Sequence, residues 1–392
     1  MGITFRLSLR FLAFISVFLT LYGLLHFYAF LKVQRAFAVT RGTGAALACL
    51  MLFMLFCPVI VRVMERHGAE SLTKVLAVAG FVWMGHLFLF VSAALLMDLY
   101  GLICTAGAHL FHARPDRWVP STRVVFFAAL AASVLGTAYG YLEAATIRKE
   151  HVTIRTPKIP KALGRLRIVQ ISDIHLGRIV GEKRLENILA KVREAKPDIL
   201  VSTGDLVDGQ MDGASNLPEM FRLIRAPYGR FAVLGNHEFY VGIERSLAFT
   251  EAAGFTVLRG NGVDMGGVIF VAGVDDEAGH RYGILRGTRE EELLSHVPVD
   301  RFTLLLKHRP YPAQTGDRRF DLQLSGHTHG GQIFPFSLII KMLYPVDAGV
   351  LKLKNGSYLY VSRGAGTWGP PIRFLAPPEI TIIDLVYGKG QE

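Results

Sequence analysis

The amino-acid sequence predicts an all-α membrane domain of about four helices followed by an α/β sandwich with mixed sheets. The first 150 residues consist of long apolar runs with few charges, whereas the remainder has the mixed composition of an α/β protein. After residue 167, short runs rich in Val and Ile alternate with a segment of helical periodicity. Polar clusters interrupt these runs at their ends, where an open α/β sheet binds its ligands.

The formal charge of +11 is unevenly distributed along the 392 residues. Residues 1–150 hold 13 Lys and Arg against 6 Asp and Glu, a net +7, and residues 151–392 hold 30 against 26, a net +4. The basic excess therefore belongs mostly to the ends of apolar segments, where it suits anionic lipid headgroups. The second part shows no dense basic patch, so we predict no nucleic-acid interface. The three cysteines fall in the apolar third without disulfide or zinc-thiolate spacing.

Four apolar stretches, at 9–31, 45–63, 75–97 and 124–142, are long enough to cross a bilayer, which takes roughly 20 residues. We interpret the first as a retained helix because further spans follow it. Four spans place both termini on one side, and ten Lys and Arg near the span ends lie there against six on the other. This bias predicts a multi-pass membrane protein with a cytoplasmic catalytic domain. A fifth span near 99–111 would place the termini on opposite sides of the membrane, and this prediction of the orientation would no longer hold.

The chain is predicted to have four parts: a transmembrane domain at 1–147, a basic linker at 148–166, a catalytic domain at 167–386 and a tail at 387–392. Within the catalytic domain, residues 184–195 are predicted to form a helix because their apolar residues recur on one face. The strands are predicted at 167–174, 199–206, 231–234, 268–274, 302–306, 322–324, 358–361 and 380–385.

Five short polar motifs fall at or just beyond the ends of these strands. Positions i and i+2 of an extended segment face the same side, so Asp173 with His175, and His327 with His329, can each face one site. The glycines at 204, 235 and 326 permit close backbone approach because they lack a Cβ. Imidazole, carboxylate and amide ligands without thiolate suit Mn²⁺, Fe, Zn²⁺ or Mg²⁺. In order, the motifs are Asp173-Ile174-His175, Gly204-Asp205-Leu206-Val207-Asp208, Gly235-Asn236-His237-Glu238, Lys307-His308 and Gly326-His327-Thr328-His329.

This set, DxH, GDxxD, GNHE, a single His and GHxH in that order, resembles the calcineurin-like metallophosphoesterase superfamily over residues 167–386. One motif alone would be weak, whereas five in order are highly specific. The resemblance implies a two-sheet α/β/β/α sandwich that hydrolyses a phosphoester or pyrophosphate bond by metal-activated hydroxide. It also implies two divalent metal ions, with manganese favoured. The form of residues 326–332 is similar to membrane-associated bacterial members, which include phosphodiesterases and a UDP-2,3-diacylglucosamine pyrophosphatase of lipid A synthesis. This similarity implies that the membrane is a bacterial inner membrane.

The resemblance implies a role for each matching position. Two cations about 3.5–4 Å apart can activate a water and stabilise in-line displacement. Asp205 resembles the carboxylate that bridges them. His237, oriented by Asp208, resembles the catalytic histidine that protonates the leaving oxygen or binds a phosphoryl oxygen. The remaining ligands would be Asp173, His175 and His329 for the first metal, and Asn236, His308 and His327 for the second.

Several residues admit a second interpretation. His308 by itself is typical of a helix start, and Glu238 is predicted to be structural within its turn. Arg178 and Arg363 could bind substrate phosphate in bidentate geometry, or be ordinary exposed arginines. The apolar stretch 333–344 is too short to span a bilayer. It could be core, or an apolar lip that touches lipid and admits an acyl or prenyl chain.

Three functions stay open at this stage. The membrane anchor and the apolar stretch beside the site favour a phosphorylated small-molecule or lipid-linked substrate met at the membrane. A tethered phosphodiesterase or phosphatase acting on a soluble nucleotide or phosphoprotein would use the same chemistry. A catalytically silent membrane sensor would keep the metals structurally, but it would have no chemical reason to retain His237. The sequence leaves the oligomeric state open.

Overall fold

A computed structural model describes residues 9–64, 70–112, 114, 118–209, 216–284, 287–313 and 319–389. By their contacts the residues divide into two compact units, Met1–Tyr139 and Gly140–Glu392. Residues 390–392 of the predicted tail lie outside the described residues.

The first unit is helical. Four helices are long and apolar enough to cross a membrane, as the sequence predicts. The third has 41 residues and runs unbroken through the region of the suspected fifth span. Residues 99–110 therefore extend this helix, and the described residues contain no separate fifth span. The helices are α1 Leu9–Ala36, α2 Arg41–Met64, α3 Glu70–Leu110 and α4 Thr122–Ala145, the last of which ends in the second unit.

Polar side chains join the helices of the first unit. His26 lies between the Tyr22 carbonyl, at 2.9 Å, and the indole N–H of Trp83, which donates to it at 3.0 Å. His86 on α3 contacts the hydroxyl of Thr137 on α4 at 3.3 Å. In a membrane, hydrogen bonds of this kind help to hold helices together, because apolar side chains pack as favourably against lipid as against one another. Both histidines thus pack between helices.

Two six-stranded mixed sheets form the second unit. In the first sheet the order is β1-β12-β2-β3-β4-β5, and only the pairing of β12 with β2 is antiparallel. Its strands are β1 Arg148–Thr156, β2 Arg165–Ile171, β3 Ile199–Ser202, β4 Arg230–Ala232, β5 Thr256–Val257 and β12 Glu379–Tyr387.

In the second sheet the order is β10-β11-β9-β8-β7-β6, with antiparallel pairs at its two edges. Its strands are β6 Asn261–Asp264, β7 Phe270–Gly273, β8 Thr303–Leu306, β9 Leu322–Ser325, β10 Gly349–Lys352 and β11 Tyr358–Val361. The helices of this unit are α5 Glu182–Ala195, α6 Leu217–Arg222, α7 Asn236–Val241, α8 Ile243–Ala252, α9 Ala278–Tyr282, α10 Glu290–Ser295 and α11 Phe336–Leu343.

Apolar side chains that alternate between the two faces of each sheet form three apolar layers. Ile168 of β2 and Leu304 of β8 point between the sheets into one core. Their neighbours Val169 and Leu305 point outward, because successive side chains of a strand face opposite sides. Leu185 and the other apolar residues of α5 cover the outer face of the first sheet, and Leu294 of α10 covers that of the second. The predicted α/β/β/α sandwich is confirmed.

The predicted basic linker contains a strand. Arg148–Thr156 forms β1, which pairs in parallel with β12 from the register Arg148↔Glu379 onward. The segment is an edge strand with mostly exposed, charged side chains, so its composition resembles a linker. Residues 148–156 are thus part of the first sheet, which differs from the prediction.

Candidate active site

The predicted site residues follow the carboxyl ends of parallel strands. Asp173 follows β2, Asp205 follows β3, and Asn236 follows β4 in the first sheet. His308 follows β8 and His327 follows β9 in the second. Parallel strands have their carboxyl ends at the same edge of a sheet, and these edges of the two sheets lie next to each other. Side chains from positions 173 to 329 therefore meet in one place.

One group of side chains that could hold a metal ion consists of Asp173, His175 and His329, whose ligand atoms all lie within 4.8 Å of one another. The Nε2 atoms of the two histidines are 3.1 Å apart, and His329 Nε2 is 3.5 Å from Asp173 Oδ1. All three residues are buried. Nitrogen lone pairs and a carboxylate that converge without solvent fit a divalent cation.

A second group combines Asp205, His308 and His327. His308 Nε2 lies 3.2 Å from Asp205 Oδ2 and 3.1 Å from His327 Nδ1. The side-chain oxygen of Asn236 is 3.2 Å from the same nitrogen. This placement favours the ligand interpretation of His308, since the residue follows a buried strand and starts no helix.

A single oxygen atom joins the two groups. Asp205 Oδ2 lies 3.8 Å from His175 Nε2 in the first group and 3.2 Å from His308 Nε2 in the second. A carboxylate between two cation-binding groups can serve both, which is the arrangement that a two-metal site needs.

His237 and Asp208 form a pair beside these groups. His237 Nδ1 lies 2.5 Å from Asp208 Oδ1, and its ring meets that of His175 edge to face at 4.7 Å. Burial alone would lower the pKa of His237, but Asp205 and Asp208 outweigh it and raise the pKa to about 9. Because Asp208 engages Nδ1, a ligand can be met by the other ring nitrogen, Nε2.

The site balances buried charges of both signs. Burial raises the pKa of Asp173 to about 6 and lowers that of His175 to about 4. Burial also acts to lower the pKa of His308, yet Asp205 raises it to about 10. Protons thus occupy positions that cations would take, so metal binding here should release protons.

Backbone conformation also marks this site. Asp173, His175, Asp205, His327 and His329 all have φ between 50° and 73°, in the left-handed region that non-glycine residues rarely adopt. Such strain persists only where the surrounding structure enforces it, and it concentrates at functional sites. Five of the seven predicted metal ligands share this feature.

The three motif glycines lie against functional groups, as the sequence predicts. A Cβ on Gly326 would come within 2.2 Å of Asp173 Oδ2, and one on Gly235 within 2.2 Å of Asp205 Oδ1. Gly204 has φ +96°, and a Cβ there would lie 2.7 Å from His308 Nδ1. Any side chain at these positions would displace a predicted ligand.

The two predicted phosphate-binding arginines differ in placement. The guanidinium of Arg363 contacts Glu150 at 2.5 Å and Glu379 at 2.6 Å, and its Nε donates to the Pro377 carbonyl. These contacts favour a structural role, in which Arg363 ties β1 to β12. Arg178 is half-buried in the loop that follows His175, and its role stays a prediction.

Sequence reasoning missed two residues that brace the site. Arg373 is fully buried and donates to the His329 carbonyl at 2.8 Å and the Gly366 carbonyl at 2.7 Å. The amide of Gln332 donates to the Trp368 carbonyl and accepts from the Trp368 N–H, each at 2.9 Å. Gln332 lies three residues after His329, close enough to the last histidine motif to be a usable signal, whereas no local pattern marks Arg373.

Aromatic side chains surround the polar centre. Trp368 and Tyr240 meet the His237 ring at 5.6 and 5.4 Å, and about half of each side chain is exposed. Tyr344 meets His327 at 5.8 Å and Tyr311 at 5.1 Å. The cleft therefore combines a charged floor with an amphipathic rim.

The fold and the site define a class of protein. Two mixed sheets gather imidazole, carboxylate and amide donors at one edge, beside a histidine held by a carboxylate. That combination is a metal-dependent phosphoesterase centre.

Comparison with known proteins identifies the family. The sequence model of the calcineurin-like phosphoesterases matches residues 166–331. The chain is 44% identical over 259 residues to a metallophosphoesterase of Aquifex aeolicus, covering 66% of this chain and 98% of that protein. It is 30% identical over 390 residues to one of Campylobacter jejuni, covering 97% and 100%. The chain belongs to the calcineurin-like phosphoesterase family and is a phosphoester hydrolase.

Membrane attachment also has a parallel among relatives. A Danio rerio protein named transmembrane protein with metallophosphoesterase domain is 32% identical over 277 residues, which cover 68% of this chain and 63% of that protein. Together with the four apolar helices, this relative indicates a membrane protein.

Proposed function

We propose that this protein is a membrane-anchored phosphoesterase in which two divalent cations share Asp205. The observation that carries the proposal is the position of Asp205 Oδ2, within reach of both His175 and His308. Asp173, His175 and His329 would hold one cation, and Asn236, His308 and His327 the other. Cations bound there would supply an activated water and neutralise charge on the phosphoryl oxygens. Imidazole, carboxylate and amide ligands without thiolate suit Mn²⁺, Fe, Zn²⁺ or Mg²⁺, and among these we favour manganese from the family resemblance.

His237 would serve the leaving group. Because Asp208 engages Nδ1, the leaving group can be met by Nε2, and the negative surroundings favour the protonated ring. A protonated imidazole can give its proton to the departing oxygen or bind a phosphoryl oxygen. Asp208 would fix the tautomer and orientation of the ring, and thus act as a positioning residue.

Turnover by the full-length protein in detergent tests this proposal. We expect the wild type, supplied with Mn²⁺, to hydrolyse bis-p-nitrophenyl phosphate and the Asp205→Ala variant to lose both metal and activity. Asp300→Ala, at an exposed turn, is the matched control and should retain both. Wild-type protein that binds two metals without any turnover would revive the silent-sensor alternative, whereas an active Asp205→Ala variant would end the two-metal assignment.

A lipid-linked substrate is the second part of the proposal. The aromatic rim of Trp368, Tyr240 and Tyr344 suits a phosphate that carries a large apolar body. Four membrane-crossing helices would keep the enzyme where such substrates are. A comparison of two pyrophosphates that differ only in lipid chain length distinguishes a lipid-linked substrate from a soluble nucleotide. We expect kcat/KM to favour the longer chain by at least about 10-fold, because burying two methylene groups contributes about 1.6 kcal/mol. Equal values would remove the lipid proposal and leave the chemistry intact.

The catalytic side of the membrane is proposed to be the cytoplasm of a bacterial cell, from the excess of Lys and Arg near the span ends on that side. A fluorescent protein fused after Glu392 should fold and fluoresce if this is correct. An active alkaline phosphatase fusion at the same position would place the site on the opposite side.

A further inference from the structure

Helix α11 directs apolar side chains outward. The structure describes all eight of its residues, and of these only Ile340 is buried. Met342 is 84% exposed, Leu343 60% and Leu338 53%. Of the two alternatives for 333–344, core or apolar lip, the structure thus supports the exposed one. Folded proteins rarely leave a contiguous apolar patch uncovered, so this face requires a partner.

The residues just before the helix are joined by backbone pairing to a second segment, which exposes one apolar side chain. The Phe334 N–H donates to the Phe374 carbonyl, and the Phe374 N–H donates to the Gln332 carbonyl, each at 2.9 Å. Leu375, the next residue, is 60% exposed. We define the α11 face by its exposed apolar side chains: Phe334, Phe336, Leu338, Ile339, Met342, Leu343 and Leu375.

The segment at 372–376 also forms hydrogen bonds with the end of α4, within the unit Gly140–Glu392. The Arg373 N–H donates to the Gly140 carbonyl at 2.9 Å, and the Ala376 N–H donates to the Glu143 carboxylate at 3.2 Å. A Cβ on Gly140 would come within 3.0 Å of the Arg373 carbonyl oxygen. The absence of a side chain at Gly140 permits this close approach.

These contacts place residues 372–376 at the level of a membrane surface. Helix α4 has 24 residues and rises about 36 Å, against a hydrocarbon core of about 30 Å. Gly140 and Glu143 lie only about 8 and 3 Å along the axis from its last residue. The exposed Arg148 and Lys149 follow, as basic residues do where a span leaves the bilayer. A segment hydrogen-bonded to that last turn and a half must therefore lie in or beside the headgroup region.

We propose that the α11 face is a membrane-interface surface that enters the boundary between lipid headgroups and acyl chains. The partner is the bilayer that α4 crosses, because the α11 face is continuous with the end of that span. Lys341, 59% exposed at its side chain, can extend to the headgroups while its stem stays among apolar neighbours. The consequence is that the turn containing the proposed ligands His327 and His329, which ends seven residues before the start of α11, is held at the membrane surface. The inference does not depend on the identity of the substrate.

Environment-sensitive fluorescence of the full-length protein in phospholipid vesicles tests the proposal. In a background where Cys49, Cys57 and Cys104 are replaced by Ala, a single cysteine at Met342→Cys carries a nitrobenzoxadiazole probe. Leu223→Cys at the end of α6 is the matched control, since Leu223 is 67% exposed but lies on the outer side of the first sheet. Vesicles of mixed zwitterionic and anionic phospholipids contain a shallow nitroxide-labelled lipid.

We expect the probe at 342 to emit at shorter wavelength, to be quenched several-fold more by the nitroxide lipid, and to be less accessible to iodide than the probe at 223. Equal iodide access at both positions would overturn the proposal. Shielding of position 342 from iodide without quenching by the nitroxide lipid would also overturn it, because that result would mean that protein covers the α11 face. Leu338→Cys repeats the measurement in case the first variant folds poorly. The readout is lipid contact and not turnover, so failure here is distinguishable from failure of the two-metal proposal.

Discussion

The carboxylate of Glu238 binds the backbone of Asp205. Glu238 Oε2 accepts from the N–H groups of Asp205 at 3.0 Å and Gly235 at 2.8 Å, and Oε1 accepts from those of Leu206 at 2.6 Å and Val207 at 3.2 Å. Glu238 is therefore more than a brace of its own turn, because it orients the loop that carries the carboxylate shared by both groups.

Replacing Glu238 by Gln should destabilise the protein and weaken metal binding. Each oxygen accepts two N–H groups, so an amide NH₂ at either position faces two donors. Leaving buried donors unpaired should cost on the order of 2–4 kcal/mol. Thermal unfolding and metal content of the full-length variant measure this. Glu251→Gln, exposed on α8, is the control, and a Glu238→Gln protein that matches it in both measurements would refute the expectation.

Two glycines have nearly the same backbone conformation, but their replacement by alanine should have different effects on metal content and activity. Gly235 precedes α7 with φ −90° and ψ −172°, and Gly181 precedes α5 with φ −98° and ψ −169°. A Cβ at Gly235 would lie 2.2 Å from Asp205 Oδ1, whereas one at Gly181 meets nothing within 4 Å. Gly235→Ala should thus lose metal and most activity, while Gly181→Ala should retain both.

This comparison isolates steric contact, because both conformations are open to alanine. Comparable activity of the two variants would show that the loop around Asp205 can move aside, and would weaken its assignment as a rigid ligand.

Asp208→Asn should lower kcat without removing metal. The variant keeps the size of the side chain but cannot stabilise the proton on His237 Nδ1, so we expect a loss of about 100-fold or more. Asp384→Asn is the matched control, since Asp384 pairs with Arg167 at 2.8 Å on the first sheet. Steady-state kinetics with metal analysis distinguish the cases. An Asp208→Asn enzyme with unchanged kcat would exclude the positioning role.

Removal of single histidines should separate the two cations. His329→Ala takes a ligand from the first group and His308→Ala one from the second, so each variant should retain about one metal equivalent fewer than wild type. His280→Ala, exposed on α9, should retain the full complement. Elemental analysis of purified full-length protein measures this. If both variants kept two equivalents, the ligand assignment would be wrong.

Much of the fold was predictable because its signals are local. The apolar runs predicted four membrane helices, and the helix at 184–195 is confirmed as α5 with Leu185 and its apolar neighbours buried. Strands such as β8 and β9 also occur where Leu-rich runs predicted them. Edge strands escaped prediction, since β1 and β10 are half exposed and lack an apolar run.

Part of the site could not be predicted, because its contacts join residues far apart in the chain. The pairing of Arg363 with Glu150 spans more than two hundred residues and gives that arginine a structural role that its neighbours do not reveal. Arg373 braces His329 from a loop without regular structure, so no periodicity marked it.

By itself, the sequence predicted which side chains could carry the chemistry, and it determined which segments are apolar enough to cross a membrane. Those properties follow from residue type and from short motifs, although Asp173 and His175 lie beyond β2 with left-handed φ and not on the extended segment that the spacing predicted. The tertiary structure decided that one oxygen of Asp205 lies between two cation-binding groups, that Glu238 holds the Asp205 loop, and that α11 is exposed. These are outcomes of how two sheets pack and register, which depends on contacts between distant residues rather than on any local pattern.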